Sequence, residues 1–354
     1  MAWAPTADQI LDLDGVVRRA DDFRFELIDQ GNTVIGDLHP DMSRPPQVTN
    51  DTSATVPRTM SSFYLTAAET TDINPLADQV RPVMVLQNGV EYRLGVFRWA
   101  SDSEPVRAWG SERASTLSDK MVLLNQGTST SLGWGKGADI GLIVAGIALG
   151  VFPDDQVNLN AIDADLGVGV THPLGTAQRQ ILAELLKVVA FLPPWINRDG
   201  NLQIVPTPDM DSVEPTLVYE AGGRIIDGTI ARSNDQLDAP NVFRAYENSG
   251  QAQLVGEYRI PASAPHSVEN RGYEICDPQP VSGLKTQAQA DAAAKSLSVT
   301  QNTTYRWLSF DSTLDPRHDT WDPVTALGTT WIETKWTMTL RSGGAMNHLL
   351  RQVF

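Results

Sequence analysis

One cysteine in 354 residues, Cys276, excludes an intrachain disulfide, and no cysteine-based metal cage can be built from a single chain. Cys276 itself reads as a small, half-buried hydrophobe. Long apolar runs are also missing. The longest, Ile140 to Phe152 (IGLIVAGIALGVF), has 13 residues and three internal glycines, against the roughly 20 that a membrane-spanning helix needs. It reads as a buried helix or a Gly-rich core segment, and no stable membrane insertion is expected. Basic residues are scarce: 27 Lys and Arg face 43 Asp and Glu, for a net charge of −16. That excludes the basic footprint needed for tight phosphate binding. An acidic wall would let a nucleic acid slide past without sticking, although the same charge equally serves solubility. The first residues, MAWAPTADQILDLDG, lack a basic stretch followed by an apolar one, so they do not read as a secretory signal. Without one, the sequons Asn50-Asp-Thr52 and Asn302-Thr-Thr304 are polar strand ends.

What is present is strand pattern. The length allows roughly two to three domains of ~150 residues. In Val80 to Trp99 (VRPVMVLQNGVEYRLGVFRW), two apolar runs flank Asn88-Gly89, which predicts a hairpin with a type I′ turn. Phe23 to Leu27 and Thr33 to Gly36 are further candidate strands. Val48 to Thr66 also reads as strand, confined by Pro57 to an edge or a bulge. Short strands at this spacing suggest a barrel or sandwich. The polar stretch Glu104 to Arg113 marks a boundary.

The period then changes. Thr176 is a candidate N-cap for a helix whose apolar face comprises Ile181, Leu182, Leu185, Leu186, Val188, Val189 and Leu192, stopped by Pro193-Pro194. Asp199-Gly200 predicts a second hairpin turn. From Val213 onward, strands return at Arg224 to Ala231, Asn241 to Tyr246 and Leu254 to Ile260. Thr286 then caps an Ala-rich helix to Thr300, and strands follow at Tyr305 to Phe310 and Thr330 to Leu340. Alternation in the last strand sends Ile332, Thr334, Trp336, Met338 and Leu340 to the core.

Chemistry is hard to find. Gly133-Trp-Gly135-Lys136-Gly137 fails as a phosphate loop, because Thr130 replaces its first glycine and Gly137 its hydroxyl residue. The five histidines are scattered. Asp315, His318, Asp319 and Asp322 form the densest acid/base or metal candidate, yet Pro316 and Pro323 mark a loop, read as solvated. No catalytic, cofactor-binding or metal-binding residue is assigned. Trp109 and Trp134, in glycine-flanked loops, are candidate anchors for a subunit contact.

Three stretches resemble, in order, the tail-tip (baseplate) hub or minor tail proteins of long-tailed phages. They are the Asn88-Gly89 hairpin ending Leu94-Gly95-Val96-Phe97, the helix leading into Trp195-Ile-Asn-Arg-Asp-Gly-Asn-Leu, and the Ala-rich helix followed by Tyr305-Arg-Trp and Asp315-Pro316 to Asp322-Pro323-Val324. The resemblance implies an α+β, mostly β fold. A first tube-like β-barrel would span residues 1–112, an inserted helical or α+β domain 113–212, and a second β-barrel 213–354. It implies a homotrimer whose two barrels per subunit imitate a sixfold ring. Such a ring would cap or extend the tail tube beside a distal tail ring, a tape measure protein and tail fibres or spikes. It would open for genome DNA to pass without specific binding. The expected location is the virion tail tip, after assembly in the host cytoplasm. A fibre or lytic module would be another gene product, since the chain stops at Phe354, soon after its last predicted strand. The expectation is a structural, non-enzymatic protein. The alternatives are a wall-degrading virion enzyme and a carbohydrate-binding host-recognition module.

Overall fold

The computed structural model describes residues 21–66, 73–103, 106–107, 110–210, 212–220, 223–226, 228–248, 254–301 and 303–354; Trp109 and Asn302 lie outside them. The fold is α+β and mostly β. A continuous antiparallel path begins at Ala231–Asn234 and crosses Arg306–Thr313, Ala345–Arg351 and Thr329–Thr339. It passes to Gln47–Asp51, Arg58–Thr66, Gly110–Asp119 and Phe97–Ser103, and ends through Gln79–Val85 and Asp22–Ile28 at Val34–Leu38. The N-terminal and C-terminal strand regions meet where Lys335 pairs with Asp51 and Trp336 with Asn50.

That seam corrects the expectation for Val48 to Thr66. The stretch is two strands, Gln47–Asp51 and Arg58–Thr66, and both are central in the path. Pro57 lies in the turn between them, where its missing N–H is not needed and its carbonyl accepts from Asp51 N–H at 2.8 Å. The strand Gly110–Asp119 runs through residues 112 and 113.

The Asn88-Gly89 hairpin forms, but its turn is not type I′. Only Gly89 has positive φ (83°); Leu86 accepts from Gly89 N–H and donates to the Val90 carbonyl, both at 2.9 Å. This is the three-residue loop, in which a type I turn needs a single left-handed residue. Asn88 serves through its side chain, which accepts from Val90 N–H at 2.9 Å. The same pattern recurs at Asn197 to Asn201, with Gly200 at 83°, and at Asp29 to Thr33, where Asn32 takes φ 64°.

The helix Gln178–Val188 buries Ile181, Leu182, Leu185, Leu186 and Val188 as its spacing predicts. Its ends differ from expectation. Ala177 occupies the cap position without a side-chain bond, because the Thr176 hydroxyl turns back to the Pro173 carbonyl at 2.7 Å. The stop precedes the prolines: Ala190, at φ 56°, lets Phe191 N–H reach the Leu186 carbonyl and Ala190 N–H the Lys187 carbonyl, a Schellman termination. Thr286 does cap Gln287–Thr300, with a complete capping box through Gln289. Ile140–Leu149 is a helix capped by Asp139, with Ile140, Val144 and Ala148 buried. Leu142 is 73% and Leu149 48% exposed, so only one face meets the core. Among the described residues no helix is long and apolar enough to cross a membrane.

Ile181, Leu182 and Leu185 share one core with Phe243, Ala290 and Leu297. The Ala-rich helix therefore joins the small sheet Val255–Arg259, Val242–Tyr246, Cys276–Pro280 to the middle of the chain. Gly256 permits this contact: a Cβ there would lie 1.9 Å from the Ala290 carbonyl oxygen. Cys276 is half-buried, and burial pushes its thiol pKa up. Trp134 ends a short strand, Leu132–Trp134, rather than lying in a loop, and meets His172 edge-on at 5.9 Å.

Candidate functional site

The segment from Leu314 to Asp322 links Arg306–Thr313 to Pro323–Ala326 and corrects the solvated-loop expectation most sharply. Asp315, His318, Thr320 and Trp321 are all buried. Its prolines do mark irregular backbone, but that backbone is packed between three parts of the chain. On one side, Arg58 (1% exposed) donates to Asp319 at 2.5 Å and faces the Trp336 ring, while Thr320 donates to Asn50 at 2.8 Å. On another, the Arg198 guanidinium of the second hairpin donates to the Pro316 carbonyl at 3.1 Å. Trp336 Nε1 donates to the Asp319 carbonyl at 3.2 Å. Trp321 is held at φ 65°, an outlying conformation for a bulky residue, by burial with Leu192, Trp195, Val299 and Ile332.

Beneath the loop lies a buried, open polar ring that runs from Tyr219 to Ser312. Glu333 accepts from Nδ1 of His318 through one oxygen and from Nδ1 of His348 through the other, the latter at 2.6 Å. Nε2 of His318 lies 2.5 Å from the Tyr219 hydroxyl, and Nε2 of His348 lies 2.7 Å from the Ser312 hydroxyl. Both imidazoles and the carboxylate have no exposed side-chain surface. Phe310 and Tyr219 stack over them.

The local strand geometry explains the burial. Alternation correctly sends Ile332, Thr334, Trp336, Met338 and Leu340 inward, although the pairing register shifts between Glu333 and Lys335. Glu333 and Trp331 on the supposed outer face are buried as well, Trp331 in a second core with Leu217, Tyr219 and Phe310. His348 comes from Ala345–Arg351, a strand that the sequence reading missed although it sits centrally between two others.

Burial disfavours charge here, and the neighbours decide what survives. It opposes ionisation of Glu333, yet His318 and His348 hold that carboxyl below its usual range. It opposes the His318 imidazolium too, but Glu333 raises that group overall. For His348 burial wins and the pKa falls. Asp315 overcomes its burial through Arg317 and Arg224 and stays well below the carboxylate range. Burial and the Asp319 charge push Asp322 up to about 7.

Of the sequence candidates, the structure brings Asp315, His318, Asp319 and Asp322 to one junction, and only His318 belongs to the ring. Its partners Glu333, His348, Tyr219 and Ser312 come from four separate strands, a grouping for which spacing carries no signal. Outside the ring, a cleft of about 410 Å³ is lined by Asn158, Asn160, Trp195, Asn197, Gln203 and Arg317, among others.

No family model matches the chain, and no curated protein matches it by sequence. Solved structures do. A tail protein from Neisseria meningitidis MC58 superposes with a TM-score of 0.63 at 14% identity, covering 94% of this chain and 97% of that one. The 43 kDa tail protein of prophage MuSo2 from Shewanella oneidensis gives 0.60 at 10% identity, covering 93% and 98%. Prophage tail protein gp18 from Listeria monocytogenes EGD-e gives 0.58 at 11%, covering 93% and 94%. The chain has the fold of these phage tail proteins.

Proposed function

We propose that this protein is a structural component of a phage tail tip, a baseplate hub. The observation that carries the reading is likeness along nearly the whole length of three phage tail proteins, in both directions of coverage. A fold shared from end to end leaves little of the chain for a separate activity. The polar ring fits the same reading: its His–Glu pairs are wholly buried, so they brace the fold and reach no substrate.

In this proposal residues 1–112 and 213–354 supply two sister barrel modules, and residues 113–212 form the insertion. Three copies make a collar of six modules that docks on a sixfold tail tube or distal tail ring. The collar anchors a tape measure protein and fibres or spikes, and opens for genome DNA. The net charge of −16 suits a passage that must not retain DNA. Native mass measurement of the full chain, alone and with a distal tail ring, tests the assembly. A trimer in either condition supports the hub; a strict monomer that cleaves peptidoglycan overturns it.

A second reading rests on the cleft lined by Asn158, Asn160, Asn197, Gln203 and Trp195. Planar amides beside an aromatic ring suit a carbohydrate. Saturable glycan binding abolished by Trp195→Ala would favour a host-recognition module over the hub.

A further inference from the structure

We propose that the cleft between the helix Gln178–Val188 and the edge strand Cys276–Pro280 binds an uncharged, hydroxyl-rich ligand of the saccharide class, with His172 as a direct contact. The cleft has a volume of about 380 Å³, within the range of small-molecule sites, and the strand Val170–His172 supplies a further wall. It is a different place from the cleft that Trp195 lines, and the proposal does not rest on the hub reading.

His172 carries the argument. Its side chain is buried, and its Nδ1 lies 3.4 Å from a Glu184 oxygen. The other ring nitrogen, Nε2, has no hydrogen-bond partner among the described residues. A buried polar atom left unpaired is destabilising, and one on a residue that lines a cleft regains the bond when a ligand supplies the missing group. A hydroxyl suits this nitrogen in either protonation state, because it donates to a bare lone pair and accepts from an N–H.

The other walls narrow the ligand class. Glu184 and Lys187 both line the cleft from one turn of the helix, so their opposite charges offset each other and a charged ligand gains little. Asn248 and Gln279 bring amides, which both give and take hydrogen bonds, as a sugar hydroxyl does. The Gln279 amide is held in place by donating to Asp277 at 2.6 Å, which leaves its carbonyl oxygen for a ligand. Buried Val170, Leu185 and Val281 offer apolar surface to the C–H face of a ring.

An extended peptide is the competing occupant, since among the described residues Cys276–Pro280 pairs only with Val242–Tyr246 and leaves an open edge. The register rejects it. Val281 N–H donates inward to the Tyr246 carbonyl at 2.9 Å, so Pro280 and Pro278, at alternate positions before it, face the open edge. Neither has an N–H to offer an added strand.

The test is binding of the full chain to a printed panel of neutral hexose, N-acetylhexosamine and deoxyhexose oligosaccharides, with uronate- and sialate-bearing members for comparison. Saturable binding to at least one neutral member is expected. Titration calorimetry with that oligosaccharide should show a Kd about tenfold weaker in His172→Phe and in Gln279→Ala. If His172→Phe fails to fold, Gln279→Ala, on the half-exposed edge strand, decides alone. Absence of saturable binding to every neutral member overturns the proposal, as does binding confined to the charged members. Binding that Trp195→Ala abolishes and Gln279→Ala leaves untouched belongs to the other cleft and overturns this one.

Discussion

Arg58 and Asp319 stand 261 positions apart and form an ion pair of 2.5 Å at the seam between the N-terminal and C-terminal strand regions. Arg58 is almost wholly buried, whereas Asp319 keeps 18% of its side chain exposed. The pair fastens the junction loop to the strand Arg58–Thr66 just where the two regions already share a sheet.

Arg58→Ala should therefore destabilise the protein by about 3 kcal/mol, since it leaves a partly buried carboxylate without its partner and opens a void beside Trp336. Asp319→Asn should cost less. In urea titrations the double variant should cost less than the sum of the two singles, and strict additivity would refute the coupling.

Asp119 supplies a pH dependence. Burial pushes its carboxyl up to about 7, against the N–H groups of Met121 and Arg58 and the Arg58 charge, which lower it. A folded pKa above the unfolded 3.8 means that the folded state holds the proton more tightly. This stabilisation is complete below about pH 4 and is lost as pH rises through about 7. Asp119→Asn should flatten that decline, so its stability relative to wild type should improve from about pH 5 to about pH 8 in urea titrations.

Gly256→Ala tests the contact between the small sheet and the Ala-rich helix. A methyl 1.9 Å from a helix backbone oxygen cannot be relieved by a rotamer change, so the helix must move. The expected loss is about 2 kcal/mol, read from the urea midpoint. Val255→Ala, at a 45% exposed neighbour, should cost much less.

Ala190→Gly should stabilise. Ala190 ends the helix Gln178–Val188 in the left-handed region, where a Cβ costs about 1 kcal/mol that glycine avoids. Part of the gain is offset by the greater freedom of glycine in the unfolded chain. A rise in Tm is the expected result, and a fall would show that the Ala190 methyl packs more usefully than its backbone is strained.

The sequence by itself determined the local elements. Asn88-Gly89 and Asp199-Gly200 turn the chain because a glycine at φ near 83° costs nothing. The 3.6-residue spacing of Ile181 to Val188 creates a helix face, and Thr286 starts a second helix through bonds to its own next turn. Each of these depends on neighbours a few positions away. Tertiary structure alone decided the turn type at Asn88, the joining of the strand regions through Lys335 and Asp51, and the burial of the Asp315 to Asp322 loop. It also decided the meeting of His318, Glu333 and His348. Pairing across hundreds of residues leaves no periodic trace, and a polar loop is solvated or packed according to what lies above it. Here Arg58, Asn50 and Arg198 supply the partners that make burial of that loop affordable.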